Sequence, residues 1–210
     1  MAASVFGGPS TSAGALVGRR VELSWLRTRF DLVTRGFPHL VIVEGEQGIG
    51  KSRLANEALA HARRTGATVL RGRCYEHLDL AYLPLRESLF AALSRSLAAH
   101  PHREDDVRLL SQVRARSEGE PGADQSAELI ERERTRQLLA LTELVIEFAA
   151  DTPCVLFIDD LDWADAATVD LLRHLLFRLD DEQVPLLVLA TSRADPRARA
   201  NSVDSSSDRG

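Results

Sequence analysis

A lysine, a serine and two adjacent aspartates carry the chemistry this sequence can offer. Lys51 and Ser52 close the stretch Gly45-Glu46-Gln47-Gly48-Ile49-Gly50-Lys51-Ser52, which fits the phosphate-binding pattern G-x-x-x-x-G-K-[ST]. Glycines let the backbone curl so that successive N–H groups point at phosphate oxygens. A helix opening directly after such a loop adds its partial positive charge. The lysine can reach β- and γ-phosphates, and the serine hydroxyl can ligate Mg2+. Without those flanking elements, the same residues would be a glycine-rich turn that binds nothing. Far along the chain, the apolar run Cys154-Val155-Leu156-Phe157-Ile158 rises into Asp159-Asp160. A buried strand ending in acid puts charge at the carboxyl edge of a sheet, where open α/β sheets bind ligands. Asp159 is the candidate for holding Mg2+ outside its directly bound oxygens, the Walker B role. Asp160 is the candidate for polarising an attacking water. The plainer alternative is that one of the pair only caps the strand.

The elements that must position these groups are legible. Leu40–Glu44 is a short apolar run that reads as a buried parallel strand. Residues 52–64 read as a helix with Leu54, Ala58 and Ala62 on one face. A first helix over about 20–35 carries Val21, Leu26, Phe30 and Val33, and Gly36 and Pro38 end it. Ala67–Arg73 reads as a second strand, and Cys74–Pro84 as a loop. A helix over about 85–99 carries Leu89, Phe90, Leu93 and Leu97. Residues 100–126 read as a polar insert or linker, with a weak helical pattern near 104–116. Residues 128–150 give the longest helical signal, with Ile130, Arg134, Leu138, Leu141, Val145 and Phe148 in one stripe and Glu128/Arg132 as an i,i+4 pair. Asp165 is placed to cap a helix over 166–179. Val184–Thr191 reads as the fourth strand, running on into Ser192 and Arg193. Thr191 and Arg193 would project toward a γ-phosphate; the bland alternative is a strand end with a surface arginine. Residues 1–15 and 194–210 are polar and read as disordered.

Composition bounds the partners. The chain has 210 residues, 44% hydrophobic and 27% charged, with a formal charge of −5. That is one domain with enough apolar content for a core, and it lacks a basic footprint for nucleic acid. Cys74 and Cys154 form no metal-ligand spacing and no disulfide framework, so a reducing cytoplasm is expected. No apolar run approaches the roughly 20 residues of a membrane span. The sequence after the fourth strand has no Asn/Thr-Lys-x-Asp stretch that would favour guanine, so adenine is preferred, with ATP or ADP as ligand.

Taken together, several segments resemble a known family. They are Leu16-Val17-Gly18-Arg19, Gly45–Ser52, Leu70–Glu76, Tyr82–Leu85, Ile158–Asp165 and Leu189–Arg193. In this order they resemble the AAA-type ATPase domain of the STAND class. More narrowly, they are similar to the N-terminal ATPase module of large ATP-binding LuxR-type transcriptional regulators. The resemblance covers roughly residues 15–194. It implies a P-loop NTPase three-layer α/β fold with a mostly parallel sheet. It also implies an ATP/ADP switch with Mg2+, in which ADP holds a closed state while inducer and ATP open it. Val17, Gly18 and Arg19 would lie against the adenine.

The family pattern continues past this sequence with a fifth strand, helical and sensor regions and a helix-turn-helix. DNA binding by this chain is therefore not expected. In the family's sheet, strand one lies between strands five and four. The Leu40–Glu44 strand is thus expected as an uncovered edge, open to self-association or to full-length relatives. Three functions follow. The first is an ATP-binding, weakly hydrolysing switch module. The second is a non-catalytic interaction module. The third is a P-loop kinase, which the paired aspartates and the absence of an arginine-rich lid disfavour.

Overall fold

Four strands alternate with helices, the pattern that builds a parallel sheet covered on both faces. The computed structural model describes residues 18–78, 80–96 and 127–194. The expectations for Val17, for Leu97 and the end of its helix, for the insert with its helix near 104–116 and for both chain ends lie outside these residues, as do the side chains of Glu128 and Ile130. The order is α1 (Arg20–Val33), β1 (His39–Gly45), α2 (Lys51–Arg64), β2 (Thr68–Arg73), α3 (Leu83–Ser96), α4 (Ala127–Asp151), β3 (Cys154–Asp159), α5 (Ala166–Glu182) and β4 (Leu186–Arg193). A single 3-10 turn, Leu161–Trp163, joins β3 to α5.

The sheet order is β1-β4-β3-β2, and every pairing is parallel. All four strands therefore end at one edge, on Gly45, Arg73, Asp159 and Arg193. Strand alternation then sorts the side chains. One face carries Val41, Val69, Val155, Phe157, Leu187 and Leu189 against Leu26, Phe30 and Val33 of α1 and Leu54, Leu59 and Ala62 of α2. The other carries Leu70, Leu156, Ile158, Leu186, Val188 and Ala190 beneath α3, α4 and α5. The result is the three-layer α/β P-loop NTPase architecture.

Several details differ from the sequence pattern. Val21 is 81% exposed, because 3.6 residues per turn carry it to the side of α1 away from Leu26, Phe30 and Val33. Phe90 and Arg134 face solvent although their neighbours Leu89, Leu93, Leu141 and Val145 are buried. Helix α3 starts two residues earlier than expected, since Pro84 fits a first helical turn. Strand β4 starts and ends two residues later than expected, so Arg193 as well as Thr191 belongs to the strand itself. The expected burial of Leu40–Glu44 fails on one face. Among the described residues β1 is an edge strand, and Leu40 and Ile42 are 46% and 43% exposed. Their partners on the opposite face, Val41 and Val43, pack under α1 and α2.

One glycine is fixed by close approach. A Cβ on Gly72 would lie 2.6 Å from Pro84 Cβ and would also strike the Pro84 carbonyl. Because backbone is in the way, Gly72→Ala should force α3 off β2. The expected cost is about 1–3 kcal/mol, read as a lower denaturant midpoint with an unchanged slope.

Burial also makes the fold alkali-sensitive. Burial pushes the Cys154 thiol from 9.0 to about 12. Burial, helped by Asp165, Asp160, Asp159 and Asp162, does the same for Cys74. Tyr82 rises from 10.0 to about 12, chiefly through burial and then Asp165. These groups stay protonated in the folded chain after they have ionised in the unfolded one. The unfolded state then binds fewer protons, so stability falls as pH rises. The contribution is intact below pH 9 and lost between pH 9 and about 12. Melting temperature followed from pH 8 to 11 should decline progressively above 9; a flat profile would contradict the burial of these groups.

Candidate functional site

Every strand delivers something to the carboxyl edge. β1 ends in the glycine loop. Gly48 and Gly50 have φ of +81° and +94°, a region in which a Cβ is strained. Gly50 is the residue before α2, so the loop feeds a helix N-terminus directly. Lys51 Nζ donates to the carbonyls of Gly45 (2.8 Å) and Glu46 (3.0 Å), which holds the ammonium across the mouth of the loop.

β3 ends on Asp159, which is 4% exposed. Its Oδ1 accepts two hydroxyl hydrogen bonds. One comes from Ser52 at 2.8 Å, from 107 residues away, and the other from Thr191 at 2.6 Å. Glycine loop, β3 and β4 are thus tied at a single carboxylate oxygen. Alternation explains the convergence, since Arg73, Asp159, Thr191 and Arg193 continue the face of the sheet that α1 and α2 cover.

Asp160 has left the strand. It takes a left-handed conformation (φ 57°, ψ 52°), which aspartate tolerates better than most side chains. Its N–H donates to Thr191 Oγ1 at 2.9 Å, and its Oδ2 accepts from Arg73 Nη2 at 2.8 Å. The carboxylate is therefore held at the end of β2. Asp165 caps α5 as expected, its Oδ1 accepting from the Thr168 N–H at 2.8 Å.

Two chambers flank the loop, with Gly50 and Lys51 bordering both. One, of about 600 Å3, combines the apolar side chains of Val43, Ile49 and Leu54 with the cations Arg19 and Lys51 and the carboxylates Glu44 and Glu46. Arg19 reaches Ile49 O at 3.4 Å and pairs with Glu22 at 3.0 Å, so the segment before α1 is tied to the loop. Gly18 precedes it with φ +82°. The second chamber, of about 430 Å3, is lined by Gln47, Ser52, Arg73, Asp160, Trp163 and Arg193 among others.

The structure therefore brings together Arg19, Gly45, Glu46, Gln47, Gly48, Ile49, Gly50, Lys51, Ser52, Asp159, Asp160, Thr191 and Arg193. Sequence reasoning missed Arg73, Asp162 and Trp163. Arg73 could have been found by alternation, since it ends a strand on the site's face. Asp162 and Trp163 lie in a three-residue turn with no periodicity to read.

Fold and site geometry define an α/β P-loop NTPase core. More narrowly, the chain belongs to the AAA ATPase domain family, whose model matches residues 15–189. No curated protein matches it. Among solved structures it is similar to a chain of the E. coli MS115-1 HORMA:CdnC:Trip13 complex, at 16% identity and TM-score 0.46, over 88% of this chain and 60% of that one. It is similar to Rhizobiales Trip13 at 16% identity and TM-score 0.41, over 88% and 59%. It is also similar to C. elegans PCH-2 at 15% and 0.39, over 87% and 39%. The chain thus spans less than two thirds of the length of each of these three. Among the described residues no helix is long and apolar enough to cross a membrane.

Proposed function

We propose that the chain is an ATP-binding, slowly hydrolysing nucleotide switch of the STAND type, similar to the ATPase module of LuxR-type regulators. The observation that carries this is the 2.8 Å bond from Ser52 to the buried Asp159, directly behind a glycine loop at a helix N-terminus. Val43, Ile49 and Leu54, with Arg19 beside them, suit an adenine base and its ribose; the family resemblance would add Val17 and Gly18 to the adenine contact. The loop amides and Lys51 suit the phosphates. Ser52 and Asp159 present hard oxygen donors, which suit Mg2+ bound together with substrate phosphates. Bound there, Mg2+ would neutralise phosphate charge. Thr191 fixes Asp159 and Asp160 together, and Arg193 faces the γ-phosphate side.

Asp160 is the base candidate, and its grip on Arg73 supports slow turnover. While the guanidinium holds the carboxylate, that oxygen is not free to accept a proton from water. Calorimetric titration with Mg-ATP and Mg-ADP tests the reading. One site for each is expected, and no binding of either would overturn it.

The exposed Leu40 and Ile42 favour a second role, in which β1 pairs with another copy of this chain or with longer relatives. Light scattering should then show concentration-dependent association that Ile42→Lys abolishes. A monomer at all concentrations would remove this reading.

A further inference from the structure

We infer that Asp162 and Trp163 are positioning residues that pre-aim Arg193, and that they set the preference for a triphosphate over a diphosphate. The inference rests on the nucleotide reading of the site given above. Asp162 grips the end of β4 from the adjacent turn. Its Oδ2 accepts from the Arg193 N–H at 2.7 Å, and its Oδ1 accepts from Ser192 Oγ at 2.8 Å. The next residue, Trp163, lies 5.0 Å from its ring centroid to Arg193 Cζ. That ring is itself anchored, because it packs against the core beneath α3–α5.

Arg73 is engaged with the Asp160 carboxylate, whereas no described carboxylate forms a salt bridge with Arg193. A guanidinium stacked on an aromatic face keeps its in-plane N–H groups available. Arg193 is therefore held in place without spending its donors, at the wall of the chamber that Ser52 and Asp160 also line. A long, rotamer-rich side chain fixed in advance loses less entropy when it meets an anion. The gain goes only to a ligand long enough to reach that chamber. The glycine-loop amides serve the inner phosphates and Lys51 spans the β- and γ-positions, so a cation on the far wall adds contact only to the outermost phosphate, the one Arg193 discriminates.

The test measures Kd for Mg-ADP and for a Mg-bound non-hydrolysable ATP analogue in wild type, Trp163→Ala, Trp163→Phe and Asp162→Ala. Trp163→Ala and Asp162→Ala should weaken the triphosphate about 3- to 10-fold and leave the diphosphate unchanged. Trp163→Phe, which keeps a ring face, should recover most of the loss. Unchanged ADP affinity shows that each variant is folded. Equal shifts for both nucleotides, no shift for either, or no recovery by phenylalanine would overturn the clamp while leaving the nucleotide site intact. If wild type binds neither nucleotide, the underlying reading fails and the clamp fails with it.

Discussion

Asp160→Asn should bind Mg-ATP with wild-type affinity and hydrolyse it about 10²- to 10⁴-fold more slowly. The substitution is unusually clean. Asparagine tolerates the left-handed backbone that Asp160 adopts at φ 57°, and its side-chain oxygen can still accept from Arg73. What it cannot do is take a proton from water. Steady-state phosphate release and equilibrium binding, measured on the same preparation, separate these effects. Equal turnover in wild type and variant would remove Asp160 from the chemistry. A large loss of affinity would make it a binding group instead.

The second large effect is expected at Lys51. Its ammonium bonds the Gly45 and Glu46 carbonyls across the loop mouth, so it is already in phosphate range of the loop amides. Lys51→Ala removes a charge-assisted hydrogen bond to the ligand, about 1.5–3 kcal/mol. That is roughly a 10- to 150-fold rise in Kd for Mg-ATP. The fold should survive, because Lys51 stands at the start of α2, outside the buried core. An unchanged Kd would mean that the loop does not hold the phosphates.

Much of this site could be read from residue order alone. The glycine loop announces itself because its chemistry is local and consecutive. The Asp159 strand is legible because an apolar run ending in acid has one sensible place in a sheet. What the sequence hides is register. Nothing in the chain says that Thr191 lies beside Asp159, since the parallel pairing of β3 with β4 fixes that. Alternation puts Arg73 on the site's face, but its pairing with Asp160 depends on the sheet order, which sets the end of β2 next to that of β3. The left-handed turn at Asp160 and the clamp by Asp162 depend on a turn too short for any period to show. In sequence Gly72 is an ordinary strand residue, and only the start of α3 against it makes a side chain there impossible to seat. The uncovered flank of β1 was legible only through the family resemblance; its apolar run alone reads as fully buried.

In the proposed reading, a nucleotide is held between the glycine loop and the Ser52–Asp159 pair. The most direct test is a thermal melt of the wild-type chain with and without Mg-ATP and Mg-ADP. Ligand at a hundred times Kd should add about 2.7 kcal/mol to stability. For a domain of this size that is a rise in melting temperature of roughly 5–11 °C. Such a shift is expected with both nucleotides. A cooperative melt that neither nucleotide moves would contradict it.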